Sequence, residues 1–301
     1  MSRQHPMPSW RAWFLAIRPK TLPAAAAPVI TGTALAYSAQ SLRWGPALAA
    51  LLGALLLQIA SNLANDVFDY ERGADQGERL GPTRVTQSGL LTPGQVKRCL
   101  LVVISLSTLV GLYLIWAAGW PVLLIGLAAI LASVAYTGGP FPLAYHGLGD
   151  LFVFIFFGLV ATLGTYYVQA LALSPAAWAL GVALGFLIVN ILVVNNLRDL
   201  ENDRRAGKRT LAVRLGADRT RLEYLLCLSG AYLIPLLVAL MGWASYWGLL
   251  SWITVPKAIR LARALYSQQG RALNHTLAGS GQLALWYALS FAAGIVLATM
   301  V

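Results

Sequence analysis

Acid is what this chain has least of. Of its 301 residues only eleven are Asp or Glu, against twenty-two Lys or Arg, and charge of either sign makes up 11% of the sequence. Soluble domains carry roughly 25% charged residues. With 58% hydrophobic residues and a mean hydropathy of +0.67, the chain has too little polar surface to meet water on every side. An ordinary soluble globule is excluded. Cysteine is nearly absent as well: Cys99 and Cys227 stand far apart, with no metal or redox spacing, and read as small apolar fillers. His5, His146 and His275 show no ligand spacing either. There is no hydrophilic domain and no low-complexity segment.

What is present is hydrocarbon in long runs. Apolar windows of about 17–25 residues are long enough to cross a bilayer. They fall near 22–40, 46–64, 98–117, 120–137, 150–173, 176–196, 222–241, 243–261 and 277–300. The first, with Pro23 and Pro28, and the eighth, with Pro256 and Lys257, are the least regular, so the count is eight or nine. The fold expected is an all-α membrane protein, a single domain over 1–301 with about nine transmembrane helices in a bundle. A cleavable signal peptide is not expected, because the first apolar span follows a Pro- and Arg-containing stretch without a short apolar core and cleavage site. Twenty-one of the twenty-two basic residues fall on the N-terminus and on the stretches after spans two, six and eight; only Arg43 is on the other side. Cytoplasmic loops collect Lys and Arg, so the N-terminus and the two long connections, about 66–96 and 197–221, are expected in the cytoplasm. The ten Trp and twelve Tyr suit aromatic belts, and Trp10 and Trp13 read as membrane anchors. The net charge of +11 is then mostly topology, and no nucleic-acid partner is expected.

The scarce acid is not spread evenly. Asp66, Asp69, Glu71, Asp75 and Glu78 follow the second span, and Asp199, Glu201 and Asp203 follow the sixth, together eight of the eleven carboxylates. Asn62, Asp66 and Asp69 stand at i, i+4, i+7, with Gln58 a turn earlier. Asn195, Asp199 and Asp203 stand at i, i+4, i+8. Each set shares one helix face. The match of Asn62-x3-Asp66 to Asn195-x3-Asp199, four spans apart, points to a duplicated four-helix unit. A lone acidic pair at a helix end is usually interface decoration, but two matched stripes at equivalent positions are not. Like charges at this spacing repel, and a membrane boundary adds a desolvation cost, so a cation should offset them. Without thiols or nearby imidazoles the donor set favours a hard ion, and Mg²⁺ leads. Beside the stripes stand Arg72, Arg84, Arg198, Lys208 and Arg209, the groups a diphosphate requires. The ligand that fits has a diphosphate head and a long apolar tail.

Four stretches carry a family likeness: "RPKTLPAAAAPVITG" (18–32), "QIASNLANDVFDYERGAD" with "GPTRVTQSGLLTP" (58–93), "YTGGPFPLAYHGLGD" (136–150) and "NNLRDLENDRRAGKRTLAVRLG" (195–216). In them the chain resembles the UbiA superfamily of intramembrane aromatic prenyltransferases, and within it the 1,4-dihydroxy-2-naphthoate polyprenyltransferase branch of menaquinone biosynthesis. The C-terminal third after about 222 matches only in hydropathy. The resemblance implies a nine-span helical fold around a central cavity, with Mg²⁺ bridging the Asp motifs to a polyprenyl diphosphate. It implies prenylation of 1,4-dihydroxy-2-naphthoate with loss of its carboxylate as CO₂, in a bacterial-type inner membrane. Carried over by residue, Asn62, Asp66, Asp69, Asn195, Asp199 and Asp203 would hold metal and diphosphate, the four Asp being catalytic. Arg72, Arg84, Arg198, Lys208 and Arg209 would bind the diphosphate. Many members place a third carboxylate four residues after the second, where this chain has Gly73, so the role of Asp75 is open.

Other residues carry less signal. Tyr136, at the end of span four, could present its ring to a carbocation or serve as a belt tyrosine. Lys20 and Gln87 are candidates for the acceptor. Asp150, opening span five, suits the positive end of a helix or an acceptor site. On the same fold the acceptor could instead be 4-hydroxybenzoate or homogentisate. A transporter with a carboxylate ion site would place its charges near the bilayer midplane, which this chain does not. A phosphatidyl-type alcohol transferase would carry a single DG-containing motif followed by "AR", which is absent. Prenyl chain length and oligomeric state are not written in the sequence.

Overall fold

The computed structural model describes residues 9–73 and 80–301. Arg3, His5, Asp75, Glu78 and Arg79 lie outside the described residues. Among those described there is no strand. A short helix, Ser9–Ile17, precedes nine rods. The first span is Leu22–Ser38, the second Trp44–Glu71, the third Pro93–Ala118 and the fourth Pro121–Ala135. The fifth is Gly149–Ala170, the sixth Pro175–Arg205 and the seventh Ala217–Leu240. The eighth begins as a 3₁₀ stretch, Tyr246–Thr254, and continues as Val255–Ser267; the ninth is Leu273–Ala298. Six of these helices are long and apolar enough to cross a membrane, and Pro121–Ala135 is a shorter apolar one. Their outer faces stay greasy: Leu101, Leu109 and Trp116 on the third span and Leu131 on the fourth are exposed, Trp116 to 81%. In water such a surface would drive aggregation; in a bilayer it is solvated by acyl chains. The chain is a multi-pass membrane protein.

Proline and polar caps set where several helices start. Pro93, Pro121, Pro175 and Pro256 each lie in a first turn, where the missing amide costs nothing. Thr92 and Gln95 close a reciprocal capping box ahead of the third span. The helix ends differ from the hydropathy windows. Those windows close at 64 and 196, yet the second and sixth helices run on to Glu71 and Arg205. Polar residues end an apolar window without ending a helix. The turns come at Gly73 and Gly207, whose φ values of 69° and 73° take the left-handed conformation that stops a helix. Both acidic motifs therefore ride on helical turns, and the long connections begin later than 66 and 197.

The sixth span is the axis. Two-thirds of its apolar window (67%) is buried inside the protein, against 17% for the third span. Its Leu184, Leu187 and Val193 share one core with Tyr224 of the seventh span and Tyr287 of the ninth. The fifth span reaches it through glycine. A methyl group added at Gly158 would lie 2.7 Å from the Gly181 carbonyl and collide with the Gly185 backbone. Small residues at this spacing let membrane helices approach closely, and the fifth span widens into a π-helical turn, Phe154–Val160, at that contact.

Candidate active site

A polar cavity of about 260 Å³ opens between the ends of the second and sixth spans. Gln58, Ser61, Asn62, Asn65 and Asp69 line it from the second span. Asn195, Asn196, Asp199, Asn202 and Asp203 line it from the sixth. Arg18, Thr21, Arg84, Thr137, Lys208 and Thr210 add to its charged and polar wall. An apolar cavity of about 260 Å³ adjoins it among the first five spans, and the two share Ser61, Tyr136, Val153 and Phe157. One end suits an anion and the other a hydrocarbon.

The lining of the second span follows the helical period, 58, 61 or 62, 65, 69. This is not quite the expected stripe of Asn62, Asp66 and Asp69. Asp66 is 1% exposed and does not line the cavity. Its Oδ1 accepts from the amide of Thr86 at 2.9 Å and its Oδ2 from that of Val85 at 3.1 Å, with Arg18 at 3.7 Å. Asn62 faces the cavity but is held by Ile17 and Thr21, to which its amide donates at 2.9 Å.

Asp69 is the centre of the first half. Its carboxylate, 1% exposed, meets Arg84 Nη2 at 2.6 Å, Lys208 Nζ at 3.1 Å and the Tyr145 hydroxyl at 2.7 Å. A buried charge is tolerated only with such partners. Arg84, itself 8% exposed, also donates to the Asn65 carbonyl at 2.8 Å. The Tyr145 phenol is pushed well above its ordinary value, first by burial and then by the Asp69 carboxylate beside it, so it stays a donor. Its ring lies under Lys208 at 4.8 Å and Arg72 at 5.4 Å.

The second half is built around Arg198. It grips Asp199 through Nε at 2.9 Å and Nη2 at 2.5 Å, and donates to Asn195 and Asn274, each at 2.8 Å. Asn274 in turn donates to the Leu80 carbonyl at 2.8 Å, and a side chain at Gly81 would strike the Arg198 guanidinium. Arg198 thus fixes the acidic turn of the sixth span to the connection after the second. Lys208 arrives by a helix-ending turn: its amide bonds the Asp203 carbonyl at 2.9 Å across left-handed Gly207, which folds the chain back toward Asp69.

The remaining expected residues are scattered. Arg72 donates to the Gly139 carbonyl. Arg209 is exposed, and its amide bonds the Tyr145 carbonyl at 3.0 Å. Lys20 is exposed and outside the cavity lining; Gln87 is half-buried on the loop that Asp66 holds. Tyr136 lines both cavities. Asp150 is buried in the first turn of the fifth span, away from the polar lining. Asn65, Asn196, Asn202 and Tyr145 join the site beyond the residues expected from spacing. Asn65 carried a signal, since it stands one turn before Asp69; Tyr145 sits in a loop and carried none.

Among the described residues no three His, Cys, Asp or Glu side chains are grouped closely enough to hold a metal unaided. A Mg²⁺ shell needs only one or two carboxylates, with waters and phosphate oxygens completing it. Asp69, Asp199 and Asp203, with amide oxygens between them, suit that demand, and neither thiol nor imidazole lines the cavity among the described residues.

Residues 25–286 match the UbiA prenyltransferase family. The 1,4-dihydroxy-2-naphthoate octaprenyltransferase of Mycobacterium tuberculosis is 41% identical over 96% of this chain and 98% of its own length. The Escherichia coli protein of the same name is 40% identical over 84% of each. Among solved structures, a UbiA homolog from Archaeoglobus fulgidus bound to DMAPP and Mg²⁺ superposes with a TM-score of 0.69, at 16% identity, over 94% of this chain and 99% of that one. With the match spanning most of the sequence and the fold agreeing, this chain belongs to the UbiA prenyltransferase family.

Proposed function

We propose that the protein transfers a polyprenyl group from polyprenyl diphosphate to 1,4-dihydroxy-2-naphthoate, with loss of CO₂ and release of diphosphate, to give demethylmenaquinol, the hydroquinone form of demethylmenaquinone. The observation that carries this is the joining of the two cavities at Tyr136 and Phe157, which sets a carboxylate- and guanidinium-lined chamber against a hydrocarbon one. The reading is supported by the activity named for relatives at 40–41% identity.

The apolar cavity takes the prenyl tail, and the polar one takes the diphosphate. Asp69, Asp199 and Asp203, with Asn62, Asn65, Asn195 and Asn202, would hold Mg²⁺ and orient the phosphates. A bound Mg²⁺ supplies positive charge against the departing diphosphate. Arg84 and Lys208, already at Asp69, donate to phosphate oxygens, and charge-assisted bonds of this kind strengthen as negative charge builds. Cleavage of the C1–O bond sends its electron pair to diphosphate and leaves an allylic cation. That cation forms at the shared wall, where the faces of Tyr136 and Phe157 can meet it. The electron-rich naphthoate ring attacks C1 at its carboxylate-bearing carbon, and the C–CO₂ bond electrons return to the ring as CO₂ leaves. Arg198, buried against Asp199, orients that carboxylate, Arg72 and Arg209 frame the cytoplasmic mouth, and the N-terminus faces the cytoplasm of a bacterial-type inner membrane.

The test is acceptor choice. Membranes holding the protein and a polyprenyl diphosphate are offered 1,4-dihydroxy-2-naphthoate, 4-hydroxybenzoate or homogentisate. Prenylated, decarboxylated product from the naphthoate alone is expected. Preferential turnover of either benzenoid acid would overturn the assignment.

A further inference from the structure

Asp66 belongs to the acidic motif of the second span, yet its hydrogen bonds run to main-chain amides of the following connection, with Arg18 farther off at 3.7 Å. Each carboxylate oxygen is taken by a main-chain amide, Val85 at 3.1 Å and Thr86 at 2.9 Å. The group is 1% exposed and outside the cavity lining, whereas Asp69, three residues on, lies within it. The two amides it holds follow directly on Arg84. That residue's guanidinium reaches Asp69 at 2.6 Å and the Asn65 carbonyl at 2.8 Å. The loop carries its own turn, with Ser88 and Leu90 amides bonding the Arg84 and Val85 carbonyls at 3.0 Å. No strand or helix fixes it against the second span; Asp66 holds its main chain there, beside the apolar packing of Val85 and Leu91 on Leu63 and Val67.

We infer that Asp66 is a positioning residue, which seats the 84–91 loop so that Arg84 stands over Asp69, and not a ligand of the metal. The inference rests on the prenyl-transfer reading for its kinetic consequence but not for its structural one. A carboxylate oxygen has lone pairs to spare, as at Asp69, but Asp66 lies outside the cavity lining, so turning it toward a metal there would pull it from both buried amides. Arg84 sits in series with it: release of the loop frees the guanidinium from Asp69 and weakens the grip on the diphosphate.

Hydrogen exchange decides the matter in the unmutated protein, purified in detergent. Amide exchange in the segment covering 84–91 is followed with and without Mg²⁺. Unchanged or slower exchange on adding Mg²⁺ is expected. Acceleration there would mean that the metal takes Asp66 from Val85 and Thr86, and would overturn the inference. The variant Asp66→Asn adds kinetics. In it, exchange of that segment should rise at least tenfold, the KM for polyprenyl diphosphate should rise more than kcat falls, and the Mg²⁺ concentration for half-maximal rate should stay within twofold of the parent. Adding Arg84→Ala should cost little beyond Asp66→Asn alone, because residues acting in series are not additive. A Mg²⁺ requirement raised as far as in Asp69→Asn, with loop exchange unaltered, would make Asp66 a ligand. Should the parent protein itself transfer no prenyl group, the functional reading fails while the exchange result still assigns Asp66.

Discussion

Asp69 gathers an arginine, a lysine and a tyrosine hydroxyl on one carboxylate buried to 1% exposure. Stripping any one of them leaves charge under-compensated in a poorly solvated place. Hydrogen bonds to charged groups are worth about 1.5–3 kcal/mol, so Tyr145→Phe, which keeps the ring under Lys208 and Arg72, should raise the KM for the diphosphate roughly tenfold or more. Steady-state kinetics check this, and an unaltered KM would mean that Asp69 is oriented by Arg84 and Lys208 alone. Arg84→Ala should be harsher. Breaking a buried pair by removing one partner costs about 3–5 kcal/mol, and thermal unfolding in detergent should report it, with added Mg²⁺ recovering part of the loss. At this scale the sequence was half legible. The period of 3.6 places Asp69, Asn195, Asp199 and Asp203 on cavity-facing stripes, but it puts Asp66 on the same face as Asn62 and Asp69 and leaves Asn65 out. The rotation that decides between them comes from how the second helix packs, which spacing alone cannot supply. Tyr145 was invisible, because a loop has no period to betray which way a ring turns.

Helix ends, more than helix interiors, bring the site together. The second and sixth spans carry their acids beyond the apolar window, and Gly207 then turns the chain so that Lys208 comes back to Asp69. A side chain at φ 73° costs about 1–2 kcal/mol, so Gly207→Val should displace Lys208 and raise the diphosphate KM while leaving the remaining helices intact by circular dichroism. The glycine contact between the fifth and sixth spans can be tested in the same way. Gly158→Leu would drive a branched side chain into the Gly181 and Gly185 backbone, and overpacking typically costs 1–3 kcal/mol. A lowered unfolding midpoint is expected, and an unchanged one would contradict the close approach. Hydropathy gave the spans and the charge count gave the elaborated face, since both are properties of composition over a window. Where each helix stops depends on single left-handed glycines, and a window averages those away.

Across the whole molecule, the pairing of a polar chamber with an apolar one accounts for a chain this oily concentrating its few carboxylates. The first five spans surround the apolar cavity, and the connections after the second and sixth spans close over the polar one. Gly126 lines the apolar cavity and a side chain there would meet nothing within 4 Å. Gly126→Phe should therefore project into the space for the tail. Turnover of a long polyprenyl diphosphate should fall about tenfold relative to geranyl diphosphate, a 1.4 kcal/mol difference, and equal losses with both would place the tail elsewhere. The central claim is that carboxylates from the two acidic motifs act together on one metal-held diphosphate. Its most direct test is demethylmenaquinol formation from 1,4-dihydroxy-2-naphthoate and polyprenyl diphosphate, read as the quinone after air oxidation and measured with Mg²⁺, with EDTA, and in Asp69→Asn and Asp203→Asn. The account predicts product with Mg²⁺, none with EDTA, and loss of at least a hundredfold, about 2.7 kcal/mol, in either variant. Turnover that survives chelation, or that depends on only one of the two motifs, would contradict it.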